Sequence, residues 1–204
     1  MPIKGASSEE PPTIAQEDKL RAQLYGLLAK FLSRPPSVAD LGAVAALKGD
    51  DTKLGQAIGM LARIGGRADV EGVGEEYHDL FIGVGRGELL PYASYYLTGF
   101  LHEKPLAKLR NDMAELGIER EPKASEPEDH IAAIMESMTG LILGRFGTPA
   151  PIEVQKRFFE THLESWAPYF FRDLEAAKSS VLYAAVGAIG RNFFDIEATA
   201  FAMD

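Results

Sequence analysis

Residues 126–146 read Glu126-Pro127-Glu128-Asp129-His130-Ile131-Ala132-Ala133-Ile134-Met135-Glu136-Ser137-Met138-Thr139-Gly140-Leu141-Ile142-Leu143-Gly144-Arg145-Phe146. Ile131, Ile134, Met135, Met138, Leu141 and Ile142 recur at helical spacing and share one face, the pattern of an apolar stripe turned toward a core. The stretch is therefore predicted as one long helix, from about Glu126 to Phe146. Ser125 and Glu128 have the spacing of a capping box. Pro127 is tolerated in a first turn, and the acidic residues face the positive end of the helix dipole. These roles account for Ser125, Pro127 and Glu128 and leave His130 without a reason.

The helical period continues on both sides. Leu20, Leu24, Leu27, Leu28 and Phe31 are spaced for a helix that Pro35-Pro36 stops. Ser37, with Asp40 three residues on, opens a second. A third is expected from about Asp51 to Ile64, ending at Gly65-Gly66, and a fourth from about Asp69 to Ile82. Residues 83–91 are irregular. A short helix follows from about Tyr92 to Leu101. Another runs from Lys104-Pro105 to a C-cap at Gly117, and 118–125 read as a polar connector. Beyond Pro149 and Pro151 come helices at 152–165, about Tyr169 to Lys178, and about Ser180 to Met203. No alternating pattern marks a strand, and no repeat recurs. The fold class expected is all-α: one globular domain of eight to ten helices over 14–204, behind a polar, disordered tail at 1–13.

Composition narrows the function. The 204 residues are 46% apolar, enough for a sizeable core. The net charge of −9, from 21 basic and 30 acidic residues, argues against a nucleic-acid partner and suits a cationic one. There are no cysteines, which excludes disulfides, zinc–thiolate sites, iron–sulfur clusters and thiol catalysis. The first 13 residues lack the apolar core and cleavage site of a signal peptide. No run approaches the roughly 18 apolar residues of a membrane span. No membrane span and a cytoplasmic location are expected.

Two further stretches carry chemistry. In Tyr77-His78-Asp79-Leu80-Phe81, the residues Tyr77, Leu80 and Phe81 share a helical face and fit a core. After the glycines at 83, 85 and 87 comes Pro91-Tyr92-Ala93-Ser94-Tyr95-Tyr96. Its three phenols each have an apolar body and a polar tip, which suits a core edge or a peptide groove. Over 115–136 the acids Glu115, Glu119, Glu121, Glu126, Glu128, Asp129 and Glu136 outnumber the bases Arg120 and Lys123. His130 adds a group able to hydrogen-bond backbone or to change charge near neutral pH.

Rival readings are weaker. Glu75-x-x-His78 has the spacing of a carboxylate-bridged di-iron helix. A second such pair is missing, because Gly99, Pro127 and Phe159 stand three residues before His102, His130 and His162. Gly83-x-Gly85-x-Gly87 lacks the Gly-Lys-Ser/Thr and the preceding strand of a phosphate loop. A helical scaffold without selective peptide binding is the plainer alternative. No catalytic residue, metal or cofactor is expected.

Taken together, Tyr77-x-x-Leu80-Phe81, then Pro91-x-x-Ser94-Tyr95, then Glu126 with Asp129-His130 resemble the signature of the TorD/DmsD family of molybdoenzyme-maturation chaperones. Phe159-x-x-His162-Leu163-x-x-Trp166 is similar to that family's late helix. The resemblance implies an all-helical, non-catalytic protein. Such a protein binds the twin-arginine signal peptide of a molybdoenzyme precursor and holds it in the cytoplasm until cofactor insertion is complete and export can follow. It implies peptide binding by Leu80, Phe81, Pro91, Ser94, Tyr95, Asp129 and His130, with Tyr77, Tyr92, Glu126 and Glu128 completing the expected set. The implied partners are the leader and the body of the enzyme's catalytic subunit, met by a monomer or a homodimer. Trp166 is the only tryptophan, where some members place tryptophans near the first motif. The aromatic contacts would then fall to Tyr77, Tyr92, Tyr95 and Tyr96. Carboxylates beside an apolar groove are what two adjacent guanidinium groups and an apolar run require.

Overall fold

The computed structural model describes residues 14–120 and 125–203. The expected tail at 1–13 and the charges at Glu121 and Lys123 lie outside the described residues. Within them the chain forms ten helices and no strand. These are α1 (Gln16–Ser33), α2 (Val38–Ala45), α3 (Lys53–Gly65), α4 (Val70–Phe81), α5 (Ala93–Thr98), α6 (Lys104–Glu115), α7 (Ile131–Leu143), α8 (Ile152–His162), α9 (Ala167–Ala176) and α10 (Leu182–Met203). The all-α expectation holds.

Helices α2, α3 and α4 start at local side-chain caps, of which the sequence predicts the one at Ser37. Ser37 and Asp40 form a reciprocal capping box at α2. Lys30 and Arg34 from the end of α1 also pair with Asp40, so this cap joins the two helices. Thr52 and Asp69 open α3 and α4 by accepting the N–H groups of Gly55 and Gly72.

The long helix differs from its prediction. It begins at Ile131 and ends at Leu143, with Gly144 in the left-handed region. The Ser125–Glu128 capping box is not formed. The N-cap is His130, whose Nδ1 accepts the Ala132 N–H at 3.2 Å. The reason is tertiary. A turn at Glu128–Asp129, closed by the His130 N–H on the Pro127 carbonyl, leads into His130, which is held extended by an antiparallel bridge to Tyr92. Once started, α7 is buried nearly all round, including Ala132, Ser137 and Thr139 as well as the predicted stripe. That makes it a central helix instead of a one-sided surface helix. It lies chiefly along α1.

The other half of the core gathers on α10, which packs on α9 and α3 and touches α1 and α4. Phe159, Phe171, Phe193 and Phe194 are almost fully buried there. A Cβ added at Gly187 would sit 2.7 Å from the backbone N of Glu175 and 2.8 Å from the carbonyl of Phe171. Glycine is what lets α9 and α10 approach. The start of α10 is capped from elsewhere in the chain. Glu76 of α4 accepts the N–H groups of Val181, Leu182 and Tyr183 at 2.7, 3.1 and 2.8 Å. Glu88 accepts those of Lys178 and Ser179 at 2.7 and 3.2 Å, and these bonds hold its carboxyl below the usual range.

Candidate functional site

The bridge that delays α7 also builds the site. Ala93 N–H donates to the Asp129 carbonyl at 2.9 Å, and Ile131 N–H donates to the Pro91 carbonyl at 2.8 Å. The segment opening α5 is thus zipped to the segment opening α7. These are the second and third stretches of the motif set, now side by side.

Asp129 is the centre of the join and is 1% exposed. Its Oδ2 accepts the Ser94 N–H at 2.9 Å and a very short bond from the Ser94 hydroxyl. Asp129 therefore caps α5 from outside, and Ser94, wholly buried, exists to meet it. The other oxygen, Oδ1, is buried without a hydrogen-bond partner among the described residues. A buried carboxylate satisfied on one side only is costly, so the join stores unmet acceptor capacity.

His130 packs edge-on against Tyr92, ring centroids 5.2 Å apart. Burial pushes its pKa down to about 4, against the pull of Glu126 and Asp129. The imidazole is neutral at pH 7, as a ring accepting the Ala132 N–H at Nδ1 must be. Of the two expected roles, His130 takes the backbone hydrogen bond and not the charge change near neutral pH, because desolvation outweighs the neighbouring acids. The Tyr92 hydroxyl donates to Glu126 Oε2 at 2.5 Å. Glu128 meets Arg110 of α6, whose Nε and Nη2 lie 3.0 and 2.8 Å from its Oε2. Burial raises the Glu128 carboxyl, but the bond to Arg110, a backbone hydrogen bond and the charges of Arg110 and Arg120 together hold it below the ordinary range.

Next to this wall opens a pocket of about 260 Å³. Its carboxylates are Glu119, Glu126, Glu128 and Glu136, and its guanidinium groups are Arg120 and Arg145. Met113, Ile118 and Phe146 supply apolar lining.

The first stretch sits differently. Leu80 is fully buried and Tyr77 nearly so. Tyr77 donates to the Leu32 carbonyl at 3.4 Å, and burial, aided by the charge of Glu126, pushes its phenol up to about 12. Phe81 is half-buried, its ring 5.0 Å from Tyr77 and 5.5 Å from Tyr183. These residues line the core behind the site. Tyr95 lies half-buried toward the glycine loop, where Arg86 donates to its hydroxyl at 3.2 Å and stands over its ring. Tyr96 packs its ring at a tilt against the buried Trp166 and donates to the part-exposed Asp173.

The glycine loop is no phosphate cradle. Gly83 has φ +60°, and the chain folds straight back, with Glu88 and Leu89 N–H groups donating to the carbonyls of Asp79 and Leu80. The di-iron reading gains no ligands: His78 is exposed beside Asp79, and no cluster of three or more metal-binding side chains occurs among the described residues. His162 of the late helix is buried and reaches Asp112 of α6 at 2.7 Å. Arg110, Arg145, Glu76 and Glu88 belong to no motif. The partners of Arg110, Glu76 and Glu88 lie at least 18 residues away in sequence, and only an unremarkable charged residue marks each one.

The described residues thus form an all-helical fold with a buried Asp–Ser join between two loop segments. The chain belongs to the nitrate reductase delta subunit family, which includes the TorD chaperones, with residues 47–172 matching. This is a family of maturation proteins and not of enzymes. The chain is 28% identical over 141 residues to the chaperone protein TorD of Vibrio cholerae El Tor, covering 65% of this chain and 64% of that one. It is 28% identical over 146 residues to the TorD of Aliivibrio fischeri, covering 67% and 68%. It thus spans a little under two thirds of the Vibrio cholerae relative. A candidate redox enzyme maturation protein from Archaeoglobus fulgidus has the same fold, with a TM-score of 0.58, 22% identity and coverage of 92% of this chain and 99% of that one. No helix among the described residues is long and apolar enough to cross a membrane.

Proposed function

We propose that this protein is a chaperone that matures a molybdenum-containing redox enzyme and binds the twin-arginine leader of its precursor. It holds the precursor in the cytoplasm during cofactor insertion, before export, and also meets the body of the client's catalytic subunit. The observation that carries this reading is the acidic pocket beside the Tyr92–His130 bridge. Its lining carboxylates Glu119, Glu126, Glu128 and Glu136 outnumber the guanidinium groups Arg120 and Arg145, even with Arg110 seated on Glu128, and a net acidic wall suits an incoming arginine. In this reading Glu126 and Glu128 receive the leader's arginines. Tyr92, Tyr95 and the open edge of Phe81 meet its apolar run. Asp129, Ser94, Pro91 and His130 hold those groups in register, and Tyr77 and Leu80 support them from the core. The chaperone names of the relatives agree with the role.

The test is titration calorimetry with a synthetic peptide carrying Arg-Arg followed by an apolar run, against the same peptide with Gln-Gln. The Arg-Arg peptide is expected to bind at least about tenfold more tightly, the weight of one or two charge-assisted bonds. Equal affinities would overturn the reading.

A further inference from the structure

The acid best placed to receive a client arginine already holds one. Arg110 projects from the outer face of α6 and spans 18 residues of sequence to reach Glu128. The two partners are unequal. The Glu128 side chain is 12% exposed and sits in the pocket wall, whereas that of Arg110 is 51% exposed and arrives from solvent. The acid is thus the fixed member of the pair and the arginine the removable one. The geometry is also short of the best. Both N–H groups of the guanidinium go to the single oxygen Oε2, not one to each carboxylate oxygen. A pair of this kind at a half-exposed site is weak enough to be exchanged.

We propose that Arg110 is an internal surrogate for the client's arginine. In the free chaperone it occupies Glu128, and the client binds by substituting its own guanidinium for that of Arg110. The inference rests on the leader-binding reading and adds the step that regulates it. The surrogate keeps a partly buried carboxylate satisfied when no client is present. It also sets a threshold, because a peptide able to offer only a weak cation cannot displace a guanidinium. A consequence follows for salt. An exchange of one ion pair for another leaves their number unchanged, so binding depends less on ionic strength than a newly formed pair would.

The experiment uses the full chain and the Arg-Arg and Gln-Gln peptides, by calorimetry at low and high salt. Arg110→Gln is expected to bind the Arg-Arg peptide about two- to fivefold more tightly than wild type, with a steeper loss on adding salt. Glu128→Gln is expected to weaken binding, and adding Arg110→Gln to it should change nothing further. A purely structural role for Arg110 would leave the salt slope unmoved. Unchanged or weaker binding by Arg110→Gln overturns the inference, as does a gain that persists in the Glu128→Gln background. In either case a wild-type preference for Arg-Arg over Gln-Gln leaves the leader-binding reading standing. If wild type shows no such preference, both fall. Should Arg110→Gln fold poorly, Arg110→Met removes the charge, keeps an aliphatic stem, and supplies the same comparison.

Discussion

At the scale of residues, the join between Asp129, Ser94 and His130 concentrates the consequences of burial. His130 is 6% exposed and its pKa is near 4 when folded, against about 6.5 in an unfolded chain. Between those values the unfolded state takes up a proton that the folded state refuses. Stability from this residue is therefore complete above about pH 6.5, falls on acidification toward 4, and levels off below. The full span is on the order of 3 kcal/mol. His130→Asn keeps an N-cap acceptor and removes the titration. Urea unfolding at pH 7.5, 5.5 and 4.5 should show wild type losing more stability than the variant as pH falls. Parallel losses in both proteins would contradict the assignment. Ser94→Ala tests the partner across the join. It strips a buried carboxylate of one of its two donors and should cost about 1–3 kcal/mol at neutral pH. An unchanged urea midpoint would mean that the bond contributes nothing.

At the scale of elements, α10 depends on a cap that it does not contain. Glu76 Oε1 takes the N–H groups of Val181 and Tyr183, and Oε2 takes that of Leu182. In Glu76→Gln one of these oxygens becomes an NH₂ facing an N–H donor, and the charge facing the helix dipole is lost. The variant should lose about 1–2 kcal/mol. Amide exchange should quicken first at residues 181–183. Protection there equal to wild type would show that the first turn is held by other means. The prediction concerns an element because the caps of α2, α3 and α4, at Ser37, Thr52 and Asp69, are local and serve their own helices. The cap on α10 joins two helices and orders α4, whose C-terminal end carries Leu80 and Phe81 behind the site.

At the scale of the whole molecule, α10 links α9, α3, α1 and α4, while α7 runs along α1. With these shared contacts the described helices should unfold as one unit. Trp166, the only tryptophan and 1% exposed, reports on the core. Its fluorescence and far-UV circular dichroism should give coincident urea transitions. Separated midpoints would reveal independently stable parts.

The sequence by itself determined the helices, because their period, capping residues and prolines act within about four residues of one another. It also carried the family resemblance, since Tyr77, Pro91, Ser94, Asp129 and His130 can be read as a pattern without knowing where they sit. What it misplaced was the start of α7. Ser125, Pro127 and Glu128 satisfy a local capping rule, and local rules cannot register that Pro91 and Ala93 will claim the backbone of Asp129 and Ile131. The decisive pairings are of this second kind. Ser94 and Asp129 are 35 residues apart, Arg110 and Glu128 are 18 apart, and Glu76 and Val181 are 105 apart. None of these pairings is marked in one dimension, even where the acid itself stands in a motif or a capping pattern. Only the packing of α10 against α4, and of the α5 and α7 entries against each other, brings the donors within bonding distance. Burial then decides which charges are held, which ring stays neutral and which carboxylate is left with an oxygen unmet.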